Sequence, residues 1–170
     1  MSVDKAVVSD ASPLILLARI GKLSLLKQLY LEIVIPLHVR NEVMKYDDEA
    51  SFLIMSEIEK GWIKIKAEDQ ELSPEINRIG DNIGLHNGEM YALSLAVNMN
   101  IIEFLADDKS ARVAARILGL RAIGCLGVIM KAHQMGIITR NDAISSIQKL
   151  VKAGLWVSPE VLSEVFNSIE

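Results

Sequence analysis

Ala6-Val7-Val8-Ser9-Asp10-Ala11-Ser12-Pro13-Leu14-Ile15-Leu16-Leu17-Ala18-Arg19-Ile20-Gly21 is the stretch on which the fold turns. Ala6 to Val8 is too apolar for a one-sided surface strand and short enough to be a buried parallel one. Asp10 stands where that run stops. Ser12 suits an N-cap, Pro13 a first helical turn, and Gly21 a helix end. The order is therefore strand, acidic turn, helix. Ligands of open α/β sheets gather at the carboxyl ends of the strands, which makes Asp10 a candidate site residue. Alone, it would serve equally well as a turn aspartate bonded to nearby amides, so the case rests on partners.

The chain has 170 residues, enough for one domain over 1–170 with a substantial core. Apolar residues make up 51% and mean hydropathy is +0.29, as expected for a sheet buried on both faces. Aromatics reach only 5%, so the core is aliphatic and no interleaved base-stacking platform is visible. A net charge of -4 argues against an overall basic nucleic-acid clamp while leaving room for a local basic patch. Cys125 is the only cysteine, which excludes an internal disulfide and fits a reducing cytoplasm. With no signal-like opening and no apolar run of bilayer length, the expectation is a soluble, intracellular protein with no membrane partner.

Strand-like and helix-like patterns alternate along the rest of the chain. Leu23 to Tyr30 reads as a second helix. Ile33-Val34-Ile35 reads as a buried strand, and Pro36 starts a helix on which Glu42 borders the Val39/Val43 stripe. A helix-edge glutamate is more often simply solvated. Asp47-Asp48-Glu49 reads as a cap for a helix that carries Phe52, Met55 and Ile58 and ends at Gly61. Trp62 to Lys66 has edge-strand alternation with Lys64 and Lys66 facing outward, and Ser73-Pro74 opens a helix carrying Ile76, Ile79 and Ile83. Gly84 to Gly88 reads as a flexible loop feeding a helix on which Glu89 shares the face of Ala92, Leu93 and Ala96. A carboxylate on a buried face needs a reason, either the helix dipole or, more strongly, a bound cation. Ile101 to Ala106, interrupted by Glu103, is a strand running into Asp107-Asp108. One of these aspartates is explained as a cap for the helix that Gly119 closes; two are harder to explain that way. Ala122-Ile123 is a last short strand before the helix Leu126 to Gln134. Thr139 caps the next helix, Leu155 to Val157 is a brief extended piece, and Ser158-Pro159 caps a final amphipathic helix carrying Leu162, Val165, Phe166 and Ile169.

Asp10, Glu89 and Asp107-Asp108 thus fall on one rim of a parallel sheet, within reach of Glu42. Grouped carboxylates repel unless cations intervene, and an all-oxygen set favours Mg²⁺ or Mn²⁺ over zinc. His38, His86 and His133 show no ligand spacing. In this order and context, Val7 to Ile15, Gly88-Glu89, Leu105 to Lys109 and Gly124 to Val128 resemble the PIN domain. The likeness is to the prokaryotic PIN-like subgroup with an Asp-Ala-Ser-Pro-Leu start and a later Gly-Glu helix, and it spans nearly the whole chain. It implies a three-layer α/β/α fold with a central five-stranded parallel sheet, and a Mg²⁺- or Mn²⁺-dependent ribonuclease related to the toxins of VapC-type toxin–antitoxin pairs. It places catalytic roles on Asp10, Glu42, Glu89 and one of Asp107 and Asp108, with Ser12 orienting the first acid. The family's spacing selects Asp108, whereas Asp107 lies nearer the strand. Ala106 stands where the family usually carries a hydroxyl.

The implied chemistry is metal-assisted hydrolysis of RNA phosphodiesters, with Asp10, Glu89 and Asp107 or Asp108 as metal ligands. Lys109, Arg112 and Arg116 share one helix and could meet phosphate or form a plain solvated face. An antitoxin partner and a homodimer follow from the resemblance alone. The Leu23-Leu29 segment and the final helix are the candidate contact surfaces, although each is more often core. A catalytically weak PIN-like module that binds RNA or protein is the main competing reading. A phosphoacceptor receiver domain fits less well, since its acidic pair belongs near the first strand. Gly-rich phosphate loops are absent, which removes support for nucleotide cofactors.

Overall fold

The computed structural model describes residues 4–67 and 71–169. Strand β1 (Asp4–Ser9) leads into α1 (Ala11–Arg19), followed by α2 (Ser24–Leu29), β2 (Tyr30–Pro36), α3 (Leu37–Met44), α4 (Glu49–Glu59) and β3 (Ile63–Lys66). Next come α5 (Pro74–Ile83), α6 (Asn87–Asn98), β4 (Glu103–Leu105), α7 (Lys109–Ile117), β5 (Arg121–Ile123), α8 (Cys125–Gln134), α9 (Arg140–Lys152) and α10 (Pro159–Ser168). The strands form one all-parallel sheet in the order β3-β2-β1-β4-β5, with helices against it, which is the three-layer α/β/α architecture expected. Val7, Val8, Ile33, Val34, Ile35, Phe104 and Leu105 are fully buried, as a sheet covered on both faces requires. The chain winds outward from β1 through β2 to β3 and then crosses to β4 on the other side. The switch point therefore lies between β1 and β4, the crevice in which such sheets bind ligands.

Several local expectations are corrected. Helix α1 begins at Ala11, and Asp10, not Ser12, occupies its N-cap position, without a side-chain cap bond. The reason is that the Asp10 amide donates to the Leu105 carbonyl (2.9 Å), so the ladder reaches Asp10 and the helix must start at once. Gly21 does end the helix region, at φ 71°, a left-handed conformation costly for residues with a Cβ. Tyr30 opens β2 because its backbone is in register with Asp4 of β1. Strand β4 is shorter than 101–106 because the Ile101 amide still bonds back to Ala96 of α6. Helix α4 buries Ala50, Ser51 and Ile54, while Phe52 lies outside. The reciprocal Asp48–Ser51 cap turns Ser51 inward and sets the buried stripe from there. Helix α6 starts at Asn87, one residue before Gly88. Leu155 to Val157 is irregular backbone and pairs with no strand.

Edge strand β3 exposes Lys64 and Lys66 as its alternation predicts, and Lys64 pairs with Glu32. Glu103, the acid inside β4, is buried at the amino end of its strand, away from the switch-point rim. Lys131 (3.3 Å) and Arg121 (3.2 Å) balance its charge, and the Lys131 ammonium also sits 4.7 Å from the centre of the Tyr30 ring. Glu103 is thus accounted for by a structural ion cluster. Truncating it would leave the partly buried Lys131 short of its counter-ion. Glu103→Ala is expected to lower stability by about 3 kcal/mol, seen in urea denaturation as a lower midpoint with an unchanged slope.

Candidate active site

Four carboxylates reach the switch point from four elements. Asp10 follows β1, Glu42 lies on α3, Glu89 on the first turn of α6, and Asp108 at the N-cap of α7. Asp10 is 5% exposed, and its Oδ1 is buried without a hydrogen-bond partner. Burial pushes its carboxyl up to about 7 against the pull of the Ala11 amide, and the charges of Glu89, Glu42 and Asp108 add to the rise. Burial also raises the Glu89 carboxyl; the His86 amide opposes this, and Asp108 and Glu42 reinforce it. Asp10 and Glu89 therefore both feel the charges of Glu42 and Asp108.

Backbone amides hold two of these acids in place. Glu89 Oε2 accepts from the His86 amide (2.8 Å), closing the start of α6, and Asp108 Oδ2 accepts from the Ala111 amide (3.1 Å), capping α7. Each carboxylate keeps its second oxygen for another partner. Glu42 packs at the start of α6 through Gly88, where an added Cβ would stand 3.0 Å from Glu42 Oε2. One helical turn earlier on α3, the His38 ring stacks on Tyr91 of α6 at 4.2 Å, locking the two helices together beside the acids. The stacked pair, and the approach of Glu42 to Gly88, carried no signal in the sequence, since a close approach between helices shows no period.

Asp107 faces elsewhere. Its Oδ1 accepts from the Cys125 amide (2.7 Å) and its Oδ2 from the Cys125 thiol (3.0 Å), so it fastens the end of β4 to the start of α8. Burial raises its carboxyl, the Cys125 contacts and Arg112 lower it, and none of the other four acids contributes. Gly124 belongs to this joint, because a Cβ there would come within 2.8 Å of Asp107 Oδ1. Ser12 is half-buried and lines a groove together with Asp107, Asp108, Lys109 and Arg112; Arg116 lies exposed further along α7, outside it.

Among the described residues, no three His, Cys, Asp or Glu side chains are arranged so as to hold one metal ion. The set nevertheless fits a hard divalent cation in charge and donor chemistry: all ligand atoms are oxygens, and the central one, Asp10 Oδ1, lacks a partner.

Without a cation, the cost of burying Asp10 has a definite sign. The unfolded chain releases the Asp10 proton near 3.8 and the folded chain near 7, so the native state binds more protons between those values. Stability therefore falls as pH rises through that window. In chelator-treated protein, Asp10→Asn is expected to remove about 4 kcal/mol of this loss between pH 4 and 8, read from urea denaturation of both proteins across the range.

No described helix is long and apolar enough to cross a membrane. No curated protein matches the chain. A family model described as a PIN domain (DUF3368) matches residues 6–170. Parallel strand order, an acid after β1 and acids at the openings of α6 and α7 accompany that match, and the chain belongs to the PIN domain family, whose fold is of the nuclease type.

Proposed function

We propose that the protein is a Mg²⁺- or Mn²⁺-dependent endoribonuclease that hydrolyses RNA phosphodiester bonds. The observation that carries this reading is the buried, unpartnered Oδ1 of Asp10, ringed by the charges of Glu42, Glu89 and Asp108 at the switch point. Asp10, Glu89 and Asp108 would hold the cation, with Glu42 completing the ring. Asp107, committed to Cys125, acts as a positioning residue and not as a ligand. When bound, the cation lowers the pKa of a water and offsets charge on the leaving oxygen.

The chain's own residues do the rest. The amides of His86 and Ala111 fix Glu89 and Asp108 before substrate arrives, so their free oxygens need little reorganisation. Helices α3 and α6, joined through Gly88 and the His38–Tyr91 stack, keep Glu42 at the ring. Lys109 and Arg112 stand beside Asp108, where they draw the phosphate backbone toward an otherwise repelling cup, and Arg116 extends the same helix face. A role as the cytoplasmic toxin of a toxin–antitoxin pair, acting as a homodimer, is supported by the resemblance of the Asp10–Leu14 and Gly88-Glu89 segments alone.

A second reading, a PIN-like module that binds RNA or protein without cutting, is favoured by the lack of a ready three-ligand arrangement among the described residues and by Ala106 in place of a hydroxyl. Calorimetry with Mn²⁺ and an RNA cleavage assay separate the two. For the nuclease, Asp10→Asn, Glu89→Gln and Asp108→Asn each lower cleavage by about 100-fold or more. Asp108→Asn does so at unchanged stability, since asparagine caps a helix as well as aspartate. Asp107→Asn shows its main effect in thermal stability. Cleavage that survives both chelator and Asp10→Asn would sink the proposal, and failure of the wild-type chain to bind Mn²⁺ would favour the binding module.

A further inference from the structure

The acidic ring shares Asp108 with a groove of about 880 Å³. Its lining takes in the start of α7 with Lys109 and Arg112, and also Trp156 of the irregular segment after α9 and residues of α10. The rest of the lining is largely apolar, Leu126 and Met130 included. Trp156 is 84% exposed, whereas Trp62, the other tryptophan, is 7% exposed. Arg112 Nε is buried without a hydrogen-bond partner. Nothing in the packing of the core uses the Trp156 indole.

Resting on the nuclease reading above, we propose that this groove holds one nucleotide of the single-stranded RNA next to the bond to be cut. Its base stacks on Trp156 and its phosphate meets Lys109 and Arg112. The argument is complementarity. A nucleotide is flat and apolar on its base and anionic on its backbone, and the groove offers an indole, an apolar floor and, beside the carboxylates of Asp107 and Asp108, two cations; Asp107 is already held by Cys125. An apolar peptide would use the floor and leave the buried Arg112 Nε unmatched. The cations also stand where an anionic strand passes from the groove to Asp108, which the four acids would otherwise repel. The exposed indole supplies at one position the stacking surface that the scarcity of aromatic residues denies elsewhere.

The test uses the full-length Asp10→Asn protein, so that the RNA stays intact, with a short fluorescein-labelled single-stranded oligoribonucleotide in Mn²⁺. Tryptophan emission is expected to be quenched with the same midpoint as the rise in anisotropy. Adding Trp156→Ala should weaken binding about tenfold, and Trp156→Phe should abolish quenching while holding affinity within about threefold. Duplex RNA should not quench. Unquenched emission with unchanged affinity in Trp156→Ala overturns the proposal, as does equal quenching by duplex RNA. A protein partner that shifts the emission when RNA does not assigns the groove to protein and also overturns it. A parallel cleavage assay keeps the two readings apart. If wild type cleaves, Asp10→Asn does not, and Trp156 variants are indifferent, only the groove assignment falls. If nothing cleaves yet RNA quenches Trp156, the nucleotide groove stands and the nuclease reading falls.

Discussion

The hydrogen bond from the Asp10 amide to the Leu105 carbonyl is the constraint on which the rest of the molecule depends. It carries the β1–β4 ladder one residue beyond β1, at the place where the winding of the sheet reverses. Because the ladder runs to Asp10 and α1 begins at Ala11, the Asp10 side chain has no room to relax toward solvent. Its carboxylate is held in the crevice where parallel sheets open. Everything acidic in the site is arranged around that one immobilised group.

Holding four carboxylates together opposes folding, and the structure offsets this locally. Two of them are anchored by backbone amides at helix starts, where the dipole favours negative charge. Asp107 escapes the repulsion by turning to the opening of α8, where the Cys125 amide and thiol receive it. Asp10 is left with no such relief on Oδ1. A buried acid in that position is the kind of local cost that persists at functional sites, where a ligand can offset it.

Glu103 shows the opposite case. It too is a buried acid in a strand, yet Lys131 and Arg121 balance it, and it lies at the amino end of β4. Burial alone would have put Glu103 and Asp10 in one class. The presence of counter-charges in one case and of further negative charge in the other separates a structural acid from a candidate ligand.

Much of the architecture was legible because it rests on local patterns. The apolar run at Val7-Val8 marked a buried strand, Glu89 with Ala92, Leu93 and Ala96 marked a helix face turned to the sheet, and Ser73, Thr139 and Ser158 marked helix starts, since caps and periodicity are properties of neighbouring residues. Phe52 lies exposed although it is apolar, because hydrophobicity states what a residue prefers and not which way a capped helix is rotated. The sequence by itself determined that acids would stand at strand ends and helix starts on one rim. Only the tertiary structure decided which of the adjacent Asp107 and Asp108 faces Asp10, since a partner 18 residues away, Cys125, draws one of them aside. It alone also brought Trp156 into one groove with Arg112, because contacts between segments distant along the chain are settled by packing and leave no period to read.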